Sequence, residues 1–140
     1  MVLVMINITT INHGQANWDE PLNRMLEGLG SAVEDTGWID LTLINGFENR
    51  ANIGKTSIRK IGEIVVLRLS ITNLVRDAVI AKLPTNFYPQ QSIPFSLRGT
   101  IGRSFSLTLG NDGNLNFESP MDGQFDVTDY VGGTFVWVTG

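Results

Sequence analysis

A chain of 140 residues holds one domain, or one domain with a short N-terminal appendage, and can bury roughly two-thirds of its unfolded surface. Its net charge of −4, with ten Lys and Arg residues scattered along the chain, argues against a nucleic-acid-binding face. The absence of cysteine excludes disulfides and thiolate metal sites, while 15 glycines and sparse charge suit a β-rich chain with many turns.

The opening residues, Met1 to Ile6, are apolar but too few to span a bilayer. They also lack the basic start and small-residue cleavage site of a signal peptide, so no membrane insertion is expected. A short strand, or an arm that pairs with a partner chain, is the expectation. Thr9 to Ala16 is polar and rich in turn formers. Asn17 and Glu20 then have capping-box spacing, and Pro21 is tolerated in a first helical turn. Leu22, Met25, Leu26, Leu29 and Val33 follow at three- and four-residue spacing, giving a short α-helix one apolar face. Gly28 and Gly30 each weaken it by about 1 kcal/mol relative to alanine. Such a helix is marginal alone and must pack on its own domain or on copies of itself. The expected division is an N-terminal arm and helix over 1–35 and a β-domain over 36–140.

Asp35-Thr36-Gly37 ends the helix, and Trp38 to Leu43 alternates as a strand does. Asn45-Gly46 marks a turn, and Glu48 to Lys55 reads as a polar loop. The chain is organised around the next stretch, Thr56 to Thr72, which reads as a central β-hairpin turning at Gly62. In its second arm Val65, Leu67, Leu69 and Ile71 fall on one face. The other face carries Ile64, Val66, Arg68, Ser70 and Thr72, apolar at its start and polar later. Ala78 to Leu83 is a short strand, and Pro84 to Pro94 a loop folded by rigid turns. Phe95 to Ile101 and Ser104 to Leu109 are strands broken at Gly102. Gly110-Asn111-Asp112-Gly113 signals a hairpin turn into Asn114 to Glu118. Ser119 to Val131 reads as a loop and Thr134 to Val138 as the closing strand. The expected fold is mainly β: an antiparallel β-sandwich or barrel domain preceded by a short N-terminal α-helix.

Little here points to bond-making chemistry. His13 is the single histidine, lies in a polar stretch and has no nucleophile elbow to serve. One histidine and no cysteine leave too few ligands for zinc, and the acids near Asp112 lack calcium-loop spacing. No metal or cofactor is expected. Asp112, Asp122, Asp126 and Asp129 offer carboxylates for a glycosidase pair, but each sits in a turn-like context where Asp is common anyway. No catalytic residue is therefore assigned. Saccharide binding suits the chain better: flat rings stack on sugars while Asn, Asp and Arg bond the hydroxyls. Asn49, Arg50, Asn52, Arg76, Asp77, Tyr88 and Tyr130 are the loop residues of the right type. Trp38 and Trp137, on strand-like segments, are expected in the core.

Four blocks carry a resemblance. ITTINHGQANWDEPL (Ile8 to Leu22), Gly37-Trp38 with LTLINGF (Leu41 to Phe47), RKIGEIVVLRL (Arg59 to Leu69) and IAKLPTNFYP (Ile80 to Pro89) occur in that order. Together they resemble small baseplate and tail receptor-binding-type proteins of phages infecting Gram-positive bacteria. Beyond Pro89 the glycine-turn pattern alone is similar. The resemblance implies a homotrimeric, non-enzymatic virion component, made in the host cytoplasm. It would contact other baseplate or tail proteins and a host cell-wall saccharide. It makes Leu22, Met25, Leu26, Leu29 and Val33 trimer contacts, but transfers no receptor-binding residues.

Overall fold

The computed structural model describes residues 20, 22–26, 34–120, 125–126 and 128–140, the side chains of 119 and 120 excepted. Among the described residues nine strands follow one another: β1 (Ile39–Asp40), β2 (Glu48–Asn49), β3 (Ser57–Ile61), β4 (Ile64–Thr72), β5 (Ala78–Lys82), β6 (Ile93–Gly99), β7 (Ser104–Leu109), β8 (Asn114–Pro120) and β9 (Tyr130–Val138). They form one antiparallel sheet in the order β1-β3-β4-β9-β6-β7-β8-β5, with β2 also paired to β4.

Strand β4 is central because its period-two pattern gives it one wholly apolar face. Val65, Leu67, Leu69 and Ile71 are buried, and opposite them on β9 lie Trp137, Phe135, Gly133 and Val131. The β3–β4 hairpin turns at Gly62, whose φ of 58° is left-handed backbone that glycine adopts without penalty. All nine β4 residues pair with β9, so β3 and β2 must share the other edge. Residues 50–55, between β2 and β3, have no place on that edge and loop outward.

The sheet curls around one core. Phe105, Leu107 and Leu109 of β7 and Leu115 and Phe117 of β8 turn to the same core as the β4 face. The Ile44 N–H donates to the Ile80 carbonyl at 2.9 Å, and Asn45 Nδ2 to the Val79 carbonyl at 2.9 Å. The segment after β1 thus reaches β5, at the opposite end of the strand order. The expected sandwich or barrel is a single sheet curled into a half-barrel.

Several expectations need correction. Of the short N-terminal α-helix, only residues 20 and 22–26 have helical backbone among those described, too few to establish it, and Leu26 is 56% exposed. Leu29 and Val33 lie outside the described residues, as do His13, Asp122 and the arm over 1–6. The alternating Trp38 to Leu43 yields only the two-residue β1, because β3 offers it a short partner. Trp137 is buried as expected and donates Nε1–H to the Phe87 carbonyl at 2.8 Å, but Trp38 lies on the outside, 37% exposed. Strand β9 starts at Tyr130, four residues before the expected Thr134, because nine cross-strand pairs with β4 outweigh the poor strand propensity of Gly132-Gly133.

The residues leading into the β-domain are pinned to the hairpin. Arg59 donates from Nε and Nη2 to the two carboxylate oxygens of Asp35, at 2.9 and 2.5 Å. These hydrogen bonds, then the Gly37 N–H, hold the Asp35 carboxyl at a pKa of about 2. A carboxyl depressed in the folded state contributes stability above its unfolded pKa of about 3.9, and that contribution fades as pH falls toward 2. Asp35→Asn should therefore lower the thermal midpoint at pH 6, with the gap to the unmodified chain closing by pH 2. A gap of equal size at both values would refute the assignment.

Candidate functional site

The outward loop 50–55 stands over the outer face of the β4–β9 pair and makes a wall there. It is tied at both ends. The Arg50 N–H donates to the Ser70 carbonyl at 3.0 Å, and the Thr56 N–H donates to Asn49 Oδ1 at 2.8 Å. Two open depressions, of about 370 and 530 Å³, flank this wall and share Ile53, Leu69, Ser70 and Gly133. Sharing these four residues, the two depressions adjoin, and together they are treated as one trough.

Its floor is bare backbone. Gly132 in the middle of β9 pairs with Ser70, and with no side chain there the outer surface is low, while Gly133, paired with Leu69, adds only backbone because its Cβ would face Leu97 on the other side of the sheet. A glycine inside a strand marks a place where another group can approach the backbone closely. The Ser70 hydroxyl, in a residue 8% exposed, has no hydrogen-bond partner. Leaving such a group unsatisfied costs about 1–3 kcal/mol.

The walls repeat one arrangement. At one end the Arg50 guanidinium lies 3.5 Å from the centroid of the Tyr130 ring; at the other, Arg68 lies 3.7 Å from the centroid of Trp38. Stacking on a ring fixes the guanidinium plane and leaves its N–H donors free to bond elsewhere. Arg98, on β6, borders the first depression. Asp40 and Lys55 form an exposed 3.6 Å ion pair beside the second. Beside Arg98 stands Ile101, 92% exposed and at φ 54°. A β-branched residue in left-handed backbone costs roughly 1–2 kcal/mol, and such strain collects at functional surfaces. A strand running to Ile101 is the expectation; β6 in fact stops at Gly99, and Ile101 sits at a left-handed kink in the turn Thr100–Gly102.

Of the seven saccharide candidates, Arg50 and Tyr130 come together here. Asn49, at the end of β2, spends its side-chain oxygen closing the wall loop, and Asn52, within that loop at φ 65°, shapes its turn. The other three lie on other elements. Tyr88 packs at the β7–β8 turn, where a Cβ on Gly113 would fall 2.0 Å from its Cε1. Arg76 lies 5.1 Å from the Phe125 ring, and the Asp77 N–H donates to the Glu118 carbonyl at 3.4 Å. Sequence reasoning missed Trp38, Arg68, Arg98 and the glycine floor. A glycine pair ahead of an alternating strand was the available signal.

The described acids serve turns. Asp112 accepts from the Asn114 N–H at 3.0 Å. Asp129, 7% exposed, accepts from Arg103 Nη1 at 3.1 Å and from the Asp126 N–H at 3.0 Å. Asp126 accepts from the hydroxyl and the N–H of Thr128, and these bonds hold its carboxyl below the usual range. A glycosidase acid needs the opposite shift. Among the described residues no group of three His, Cys, Asp or Glu could hold a metal, and no helix is long and apolar enough to cross a membrane.

No family model and no curated protein sequence matches the chain. Among solved structures it is similar to the receptor binding protein gp15 of Listeria phage PSA, with a TM-score of 0.59 and 19% identity. That match covers 91% of this chain and 80% of the other. At that identity the likeness establishes a shared fold.

Proposed function

We propose that the chain is a phage baseplate or tail-tip protein that attaches to the host surface by binding a cell-wall saccharide in the trough. The observation that carries this is the arginine-on-aromatic stack repeated at both ends of one open trough. A repeating polymer can meet the same chemistry twice along such a surface, whereas a compact ligand would suit one closed pocket. The fold shared with a phage receptor binding protein supports the same reading. Binding is stoichiometric and breaks no bond.

The N-terminal segment, residues 1–35, serves trimerisation or virion docking, and Leu22, Met25, Leu26, Leu29 and Val33 supply the contacts about a three-fold axis. Three copies raise weak single-site affinity through avidity. Light scattering should then return three times the 15.4 kDa chain mass, and a clean monomer at high concentration would remove this part of the reading. For attachment, the labelled chain is applied to a panel of Gram-positive strains. Retention on at least one strain, competed by its purified wall polysaccharide, is expected. A chain that ignores every strain and binds only virion proteins would be a structural adaptor instead.

A further inference from the structure

Resting on that reading, we propose that the trough selects saccharides bearing negative charge, carboxylate or phosphate, and reads that charge with Arg50, Arg68 and Arg98. Although the chain as a whole carries −4, these three of its ten cationic side chains converge on one trough, with Lys55 beside them. Among the described residues, none of the three arginines has a carboxylate within ion-pair distance, whereas Arg24, Lys55, Arg59 and Arg103 each have one. Among the described residues that line the trough, Asp40 is the one acid, and it is spent on Lys55.

An arginine needs a compensating partner when a ligand strips water from it. A neutral sugar supplies only hydroxyls, while a carboxylate or phosphate accepts two parallel N–H bonds from one guanidinium. The Tyr130 and Trp38 rings hold Arg50 and Arg68 in fixed planes, so little rotamer entropy is lost when those bonds form. The low floor at Gly132, which pairs with Ser70, lets a chain lie close to the backbone between them. Exposed Ile53 and Ile101 offer apolar contact to the carbon face of the sugar.

The test titrates the full chain with three probes: an oligogalacturonate, the same oligomer methyl-esterified to remove its charge, and tripolyphosphate. The free acid or tripolyphosphate should bind and weaken steeply with added salt, and the esterified oligomer should bind at least about tenfold more weakly. The first and third probes separate carboxylate from phosphate preference. Arg68→Gln with Arg98→Gln, both exposed and outside the core, should cost at least about tenfold with an unchanged thermal midpoint. Equal binding of free and esterified oligomers, a double variant that binds unchanged, or no binding of either anion would overturn the proposal. Attachment to cells that persists undiminished in 0.5 M salt (roughly a 4 Å screening length) would overturn it too, yet leave the attachment reading standing.

Discussion

Phe117→Ala is expected to lower the unfolding free energy by about 3–5 kcal/mol. Phe117 is fully buried on β8, and its ring centroid lies 6.1 Å from Phe47, 6.0 Å from Phe105 and 5.6 Å from Phe125. Those rings come from the loop before β2, from β7 and from the segment before β9, so Phe117 is where distant parts of the curled sheet meet. Truncation removes the transfer energy of the ring and leaves a void that three partners from different elements cannot jointly fill. Urea denaturation measures it through the midpoint at constant slope. A loss below about 1.5 kcal/mol would mean that the core tolerates collapse at this point.

Gly99→Ala is the second large effect, and it comes from crowding. A Cβ at Gly99 would fall 2.2 Å from Phe105 Cε2 and 2.3 Å from the backbone oxygen of Tyr130. Phe105 is fully buried, and the Tyr130 oxygen is part of β9, so neither can swing aside. Overpacking of this kind costs about 1–3 kcal/mol, occasionally more, and with backbone blocking one side the upper end is expected. Because Gly99 pairs with Val131 and borders the trough, relief of the clash should also displace Tyr130 and weaken surface attachment. An alanine variant with unchanged midpoint and unchanged attachment would show that β6 and β9 can separate freely.

The central hairpin was legible because one local pattern decided it. Val65, Leu67, Leu69 and Ile71 specify the buried face, and Gly62 supplies the turn. The same residues gave the outer face: Ile64 is 49% exposed at its apolar end, and Ser70 lies in the trough. The site was legible only in fragments. Arg50 and Tyr130 were named for their side-chain chemistry, but nothing local says that they stack. That follows from Thr72 pairing with Tyr130 while Arg50 bonds Ser70, contacts across 58 and 20 positions of sequence (130 − 72 and 70 − 50). Trp38 was assigned to the core because an indole on a strand usually buries; here β1 is an edge strand of two residues, and Arg68 draws the ring outward. The glycine pair weakened the strand signal at the place where bare backbone makes the floor.

The most direct test compares two arginines that the sequence nominated equally and the fold separates. Arg50→Ala and Arg76→Ala remove the same charge, one at the trough and one beside Phe125. Retention of each variant on a strain that binds the unmodified chain is measured side by side. The trough account predicts that Arg50→Ala loses at least about tenfold in retention while Arg76→Ala is unchanged. Equal losses, or a loss confined to Arg76→Ala, would place binding elsewhere on the molecule.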